Sequence, residues 1–377
     1  MTPKNQSETF GIYIHAPWCR YRCPYCAFNI YTSSNPQVDT WKAKVLRDWD
    51  HQSQFFDGNA ATLYVGGGTP SRLPTSVYRT LMPYFPLESD AEIGIELNPD
   101  DANSDKLDEL IDIGFNRFSI GIQSLQDKAL QFLGRQHNSS QLLSLIERVK
   151  ELPLRSWSMD LIFGLPSHIQ YDIDEDLKAI AEYKPPHVSL YGLTIEPNTH
   201  FDRQVQKGHW SPLDSDQCGE TYLHIIKFLK DLGYDHYEVS NFALPNHRSH
   251  HNESIWKGGK YAGLGPGAHG FLPNMKRTVQ HSNWEKWTSE GLELIEESTQ
   301  YQQAIDLIIT RLRHCDGFHI KDLNALGYSI SPSTLVPLLE AQLIQFIQDQ
   351  LSLCPSGWPI ADALSSALID RLKPLES

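Results

Sequence analysis

Three cysteines, Cys19, Cys23 and Cys26, stand in the run His15-Ala-Pro-Trp-Cys-Arg-Tyr-Arg-Cys-Pro-Tyr-Cys-Ala-Phe28. Their C-x3-C-x2-C spacing lets one short loop aim three thiolates at a single metal centre. A four-iron cluster takes four protein ligands when fully ligated, so three leave one iron open to a small molecule. The same spacing is open to zinc. Structural zinc, however, takes four ligands, usually as two separated pairs, and the other cysteines (Cys218, Cys315 and Cys354) are scattered singly. His15 is the other nearby candidate ligand, but it lies in an apolar strand-like run and is expected to point elsewhere. A disulfide framework belongs to short secreted chains, which this is not.

The elements that must position this loop follow from the pattern of apolar residues. Strand-like runs at 10–15, 62–66, 92–97, 117–122, 156–163, 187–193 and 234–240 alternate with helical stretches at 39–56, 105–113, 140–152, 172–183 and 215–232. In the second of these stretches Leu107, Leu110 and Ile111 recur at helical spacing and Gly114 supplies the stop. Such alternation gives parallel strands with right-handed crossovers. About six units fall short of the eight in a closed barrel, so the predicted fold is α/β, a partial (β/α)6 TIM-like barrel.

Functional groups of that fold gather where strands end and βα loops begin. Gly66-Gly-Gly-Thr-Pro70, Glu96-Leu-Asn98, Gln123-Ser124, Asp160 and Thr194 all fall at such ends. Any one of them could merely cap a helix or sit in a surface ion pair. Five in succession point to a ligand. The glycine run matches neither the dinucleotide fingerprint nor the P-loop, yet its backbone N–H groups could face a carboxylate or phosphate.

The chain has 377 residues, with 40% hydrophobic and 21% charged side chains, as an ordinary globular protein does. A boundary is expected near 278–287, giving domains over 1–280 and 281–377. Beyond it, helices are predicted at 301–314, 320–326 and 332–341, then a hairpin over 343–354 around Gln348-Asp-Gln350, a small winged-helix-like α+β module. Residues 285–377 carry 13 acidic and 6 basic side chains, and the whole chain has a net charge of −14, which excludes nucleic acid as the main partner. No apolar run approaches the roughly 18 residues of a membrane span. The polar start Met1-Thr-Pro-Lys-Asn-Gln-Ser7 has no apolar export core, and six cysteines without a pairing pattern suit a reducing cytoplasm.

These motifs resemble those of radical S-adenosylmethionine proteins, and within them the oxygen-independent coproporphyrinogen III oxidase-like branch. The resemblance rests on the cysteine loop with Tyr13, His15 and Pro17 before it. It also rests on Asn116-Arg-Phe-Ser-Ile-Gly-Ile-Gln-Ser124, Leu133-Gly-Arg-Gln-His137, Met159-Asp-Leu-Ile-Phe-Gly-Leu-Pro166 and Leu193-Thr-Ile-Glu-Pro-Asn198. It implies a [4Fe-4S] cluster on Cys19, Cys23 and Cys26, whose open iron chelates S-adenosylmethionine and whose electron cleaves that ligand to a deoxyadenosyl radical. It also implies that Gly67, Gly68 and Thr69 line the methionine end, that Glu96, Gln123, Arg135 and Asp160 contact ribose, carboxylate or adenine, that Tyr13 and Tyr25 flank the cluster, and that Thr194 belongs to the same site. The glycine-rich run Tyr261-Ala-Gly-Leu-Gly-Pro-Gly-Ala-His-Gly270 resembles the segment that closes the family's cofactor pocket, with His269 either touching ligand or packed in the core.

Within the branch, the oxidases continue the loop to a fourth cysteine in a C-x-C pair and carry a long extension before it. Here Phe28 follows Cys26-Ala27, and Cys19 comes almost at once. Both features resemble the heme-chaperone members. So does His251-Asn-Glu-Ser-Ile-Trp256, which matches an H-N-x-x-Y-W heme motif at His251, Asn252 and Trp256, with Ile255 in place of its tyrosine. His247, Arg248 and His250 are neighbouring alternatives for the iron or the propionates. The resemblance therefore implies a cytoplasmic heme carrier, at the inner face of the membrane, that passes heme to a respiratory, membrane-bound apoprotein. A coproporphyrinogen oxidase or another radical reaction on a tetrapyrrole is the alternative, and a zinc-stabilised regulator with a winged-helix reader is a third. No catalytic residue is assigned, and whether the chain forms a homodimer stays open.

Overall fold

The computed structural model describes residues 9–375, so the polar N-terminal start falls outside the described residues. The chain divides into two compact units, one built from residues up to Leu213 with Gly259–Glu296, the other from Asp214–Gly258 with Glu297 onward. Instead of a single boundary near 278–287, the chain passes between units after Leu213, Gly258 and Glu296. The physical reason is long-range pairing that local periodicity does not reveal. Val239 N donates to Arg313 O at 2.8 Å and Cys315 N to Tyr237 O at 2.9 Å, tying the 234–240 segment to the C-terminal residues.

In chain order the strands are β1 (Phe10–Ala16), the two-residue bridges β2 (Trp18–Cys19) and β3 (Tyr31–Thr32), β4 (Ala60–Gly67), β5 (Leu87–Leu97), β6 (Arg117–Gln123), β7 (Ser156–Phe163) and β8 (His187–Gly192). Then come β9 (Asp235–Glu238) and β10 (Asn241–Ala243) of the second unit, and β11 (Lys260–Leu264), β12 (His269–Phe271), β13 (Lys276–Gln280) and β14 (Leu292–Glu297). In the first unit the strand order is β14-β13-β12-β11-β1-β4-β5-β6-β7-β8. From β11 to β8 every neighbouring pair is parallel. Helices at Val38–Ser53, Ser104–Ile113, Ser139–Lys150 and Ile173–Tyr183 fall between strands where their apolar spacing predicts them. The result is the expected α/β partial barrel, which does not close among the described residues.

Register explains why this sheet can carry a site. Parallel strands covered on both faces usually read as continuous apolar runs, yet these alternate. Ile12, Ile14, Leu63, Val65, Ile95, Phe118, Ile120, Met159, Leu161, Val188 and Leu190 are buried on one face. On the other, Glu96 is level with Ser119, Ser119 with Ser158, and Ser158 with His187. One step along, Gly121 is level with Asp160, and Asp160 with Ser189. Buried polar groups must find partners, and these do. Ser158 Oγ lies 2.9 Å from His187 Nδ1 and 3.0 Å from Ser189 Oγ, and it donates to Asp160 at 2.7 Å. Arg117 reaches Glu92 at 3.4 Å, both almost wholly buried.

The first half of the glycine-rich run 261–270 belongs to the sheet. Lys260–Leu264 becomes β11, parallel beside β1, and Gly265 N donates to Asp48 Oδ2 at 3.1 Å. His269 is exposed at the start of β12. The run's glycines let backbones approach closely: a Cβ on Gly265 would lie 2.6 Å from His15 O and one on Gly263 1.9 Å from His269 O.

In the second unit, helix Ser215–Asp231 leads into the β9–β10 hairpin and the short helix His250–Trp256. Helices Gln300–Leu312, Ile320–Ala325 and Pro332–Glu340 then precede a hairpin of β17 (Ile344–Ile347) and β18 (Gln350–Leu353), which follow β15 (Phe318–His319) and β16 (Tyr328–Ile330). Gln348 and Asp349, at φ of 52° and 64°, make a two-residue turn within the hairpin expected there. Among the described residues, no helix is long and apolar enough to cross a membrane.

Arg117→Ala leaves the Glu92 carboxylate buried beside a hole and should cost about 3–5 kcal/mol. Urea unfolding measures this, and a loss below about 1 kcal/mol would show that the pair is dispensable.

Candidate functional site

The cysteine loop has almost no regular structure, so side chains hold it. Arg22 donates to the carbonyls of Cys26 (3.2 Å), Phe28 (3.1 Å) and Ile30 (2.9 Å). Arg72 donates to the carbonyls of Cys19 and Ser33. The β2–β3 bridge sets Cys19 level with Thr32. Cys26 N closes a turn onto Cys23 O at 3.1 Å.

Next to it lies the glycine run after β4. Gly68 N donates to Ala16 O at 2.8 Å and Thr69 N to Trp18 O at 2.9 Å. Gly67 has φ of +112°, and a Cβ there would lie 2.5 Å from the His15 ring; a Cβ on Gly68 would lie 2.7 Å from the Pro17 backbone. Only glycine permits either approach.

The loop, the glycine run and the strand ends enclose a cavity of about 470 Å³, the size of a small-molecule site. Cys19, Cys23 and Cys26 all line it, as do Tyr25, Gly67, Gly68, Thr69, Glu96, Gln123, Arg135, Asp160 and Thr194. Tyr13 alone of the predicted group does not. Its hydroxyl lies 3.0 Å from His15 Nδ1, on the sheet face that also carries Glu96. His15 Nε2 lies 2.9 Å from Asn29 O. Both ring nitrogens of His15 are thus engaged away from the thiols, as its place in the strand predicts.

All six cysteines are free thiols. Thr69 Oγ1 donates to Cys19 Sγ at 3.3 Å, and an Arg135 Nη approaches Cys23 Sγ at 3.7 Å. Such donors suit thiolate or cluster sulfur. Burial pushes the Cys19 thiol up to about 11, against the Thr69 bond, and also raises Cys26; metal binding must therefore displace their protons. A single zinc with bonds near 2.3 Å would need its sulfurs closely gathered. Among the described residues, the group of metal-type donors lying within 4.8 Å of one another is His314, Cys315 and Asp316, in the second unit.

The opposite wall is acidic and strained. Glu96 accepts from Gly67 N at 3.1 Å, and Ser119 donates to Asp160 at 2.6 Å. Burial and the nearby Asp160 charge raise Glu96 to about 7, and burial raises Asp160 despite its serine donors. Gln123 takes φ of 68° where the β6–β7 register slips, a bulge that re-aims its side chain. Arg135 donates to Asn98 Oδ1 and to Gly121 O (2.9 Å), while its Nε is buried without a hydrogen-bond partner among the described residues. That leaves a charged donor for an acidic ligand group. A ligand with an ammonium and hydroxyls for the carboxylates, and a carboxylate for Arg135, satisfies this wall.

Sequence reasoning missed a polar chain that holds these parts together. Tyr21 and Asn98 both donate to Asp100 Oδ2 at 3.1 Å, and Arg135 extends the chain through Asn98. Ser119, Tyr191 and Glu196 also line the cavity. Asn98 stood at a strand end and could have been included. Asp100, in an ordinary acidic turn, gave no signal.

In the cofactor-free protein, Glu96 holds a proton up to about pH 7, whereas its unperturbed value is 4.5. The folded state therefore loses stability as pH rises through this interval. Glu96→Gln should narrow that loss, so the melting temperature of the variant relative to wild type should rise by about 2 °C or more from pH 5 to pH 8. A constant difference would show that Glu96 is charged throughout.

Residues 13–180 match the Radical SAM superfamily. Heme chaperone HemW of Escherichia coli (strain K12) is 37% identical over 268 residues, 69% of this chain and 69% of that protein. Heme chaperone HemW of Synechocystis sp. (strain ATCC 27184 / PCC 6803 / Kazusa) is 33% identical over 298 residues, covering 74% and 71%. In fold, the chain is similar to coproporphyrinogen III oxidase (HemN) from Escherichia coli, a radical SAM enzyme, with a TM-score of 0.80 and 20% identity over 96% of this chain and 90% of that one. The chain therefore belongs to the radical SAM superfamily, in the HemN-like branch that includes HemW, a membership that implies a [4Fe-4S] cluster and S-adenosylmethionine.

Proposed function

We propose that this chain is a heme carrier that retains a cluster on Cys19, Cys23 and Cys26 and S-adenosylmethionine in the adjoining cavity. When bound, that pair supplies one-electron chemistry. Around it, Gly67 and Gly68 offer close backbone approach, Glu96 and Asp160 accept hydrogen bonds from the ligand, and Arg135 offers a donor to its carboxylate.

The observation that carries the carrier reading is Phe28. It lines the cavity, 67% exposed, where the oxidases of the branch place a fourth cysteine. Identity to the heme chaperones of Escherichia coli and Synechocystis supports the same choice.

The heme segment of this proposal is His251, Asn252 and Trp256. They lie on the seven-residue helix His250–Trp256, whose N-terminus Ser249 caps. His251 is 2% exposed, and Trp256 is half-buried with the Arg313 guanidinium 5.7 Å from its ring. Axial ligation by a neutral His251 imidazole therefore requires this short helix to loosen. Arg248, already bound to Asp235 and to Glu253 (2.8 Å), is tied for structural use, while His250 is exposed. The cargo would then pass to a respiratory apoprotein at the inner face of the membrane, in the cytoplasm.

His251→Ala should weaken heme binding at least about tenfold, the scale on which metal-site substitutions act, in an absorbance titration; unchanged affinity would move the heme site elsewhere. Reduced, cluster-loaded protein given coproporphyrinogen and S-adenosylmethionine should form no decarboxylated product. Catalytic turnover there would replace the carrier reading with an oxidase.

A further inference from the structure

A second cavity, of about 480 Å³, lies against the same cysteine loop, and nothing described so far uses it. It is lined by Arg20, Thr32, Ser33, Ser34 and Arg72, with no acidic side chain among them. Arg72 ends the short helical turn Pro70–Arg72 that follows the glycine run. Its bonds go to two carbonyls, which leaves most of its five N–H donors unspent and its charge without a carboxylate partner among the described residues. Arg20 borders both cavities; it holds Asp101 through one nitrogen at 2.7 Å and stays 60% exposed.

The three hydroxyls add to this. Thr32 and Ser34 are exposed and make no side-chain bond within the described protein. Ser33 Oγ accepts from Asn35 N at 3.1 Å, and its own proton is available. The pairing of Cys19 with Thr32 builds this dish on the same bridge that holds the first thiol. Two guanidinium groups and three hydroxyls that can all donate, with Asp101 already engaged by Arg20, form a set that an oxyanion satisfies and a cation does not.

We propose that this dish binds a carboxylate or phosphate group, with Arg72 as the charged fork and Thr32, Ser33 and Ser34 as neutral donors. Two sources share that chemistry: a propionate of the carried tetrapyrrole, which rests on the heme-carrier reading, and a free anion, which does not.

Calorimetry of the full chain with inorganic phosphate, and absorbance titrations with heme and with heme dimethyl ester, test this in wild type, Arg72→Gln and the double variant Thr32→Ala with Ser34→Ala. The double variant matters because Arg72 also braces the loop, whereas these two hydroxyls brace nothing. Phosphate should bind wild type saturably and at least about tenfold more weakly to Arg72→Gln, with a several-fold loss in the double variant. If the variants weaken heme but not its ester, the source is a propionate; if they weaken phosphate alone, it is a free anion. Wild type that binds phosphate but no heme would sink the carrier reading and leave this site standing. Phosphate that fails to bind, or binds all three proteins alike while heme is equally indifferent, overturns the site.

Discussion

Backbone carbonyls of the cysteine loop are held by arginine side chains, and the chemistry of the first unit depends on that. A loop of this length without a ladder has no intrinsic shape, and ordering each residue costs on the order of 1–2 kcal/mol. Arg22 spends its donors on three carbonyls and Arg72 on two. Charge-assisted bonds are roughly twice as strong as neutral ones. They fix where three thiols point before any metal arrives. The glycine run completes the clamp by bonding back to Ala16 and Trp18 through its own N–H groups.

Opposite the loop, the sheet carries a cost that only a ligand can justify. Glu96 and Asp160 are both raised by burial, and each repels the other's charge. Arg135 keeps a buried N–H unpaired, and Gln123 sits in a left-handed conformation. Buried polar groups, orphan donors and strained backbone cluster where function outweighs stability. In the proposed cofactor complex their partners would be the ammonium, hydroxyl and carboxylate groups of S-adenosylmethionine. The remaining lumen is paid up internally, serine to aspartate and serine to histidine.

Much of this was legible from the residues. Strands with strict spacing, such as Ser156–Phe163, and helices with a clear stop, such as that ending at Gly114, appeared where periodicity put them, because local patterns and tertiary burial agree there. Cavity-lining residues at strand ends were legible for the same reason: parallel topology delivers them to one rim. Tyr13 does not line the cavity, since its hydroxyl turns along the strand to His15, a contact the motif does not signal. The strand Lys260–Leu264 was hidden in the glycine-rich run, whose glycines obscure its period, and the second unit's composition was hidden because backbone pairing between 237–239 and 313–315 has no local signature. Asp100 was invisible for want of any pattern around it.

Electron paramagnetic resonance of the anaerobically reconstituted, reduced protein, recorded with and without S-adenosylmethionine, addresses the central claim most directly. A three-thiol loop holding a cube with one free iron predicts about four irons and four sulfides per chain. It also predicts a cluster signal that changes shape when S-adenosylmethionine is added, with the change lost in Arg135→Ala and the signal itself lost in Cys23→Ala. A colourless protein carrying zinc, or a cluster signal indifferent to S-adenosylmethionine, would contradict it.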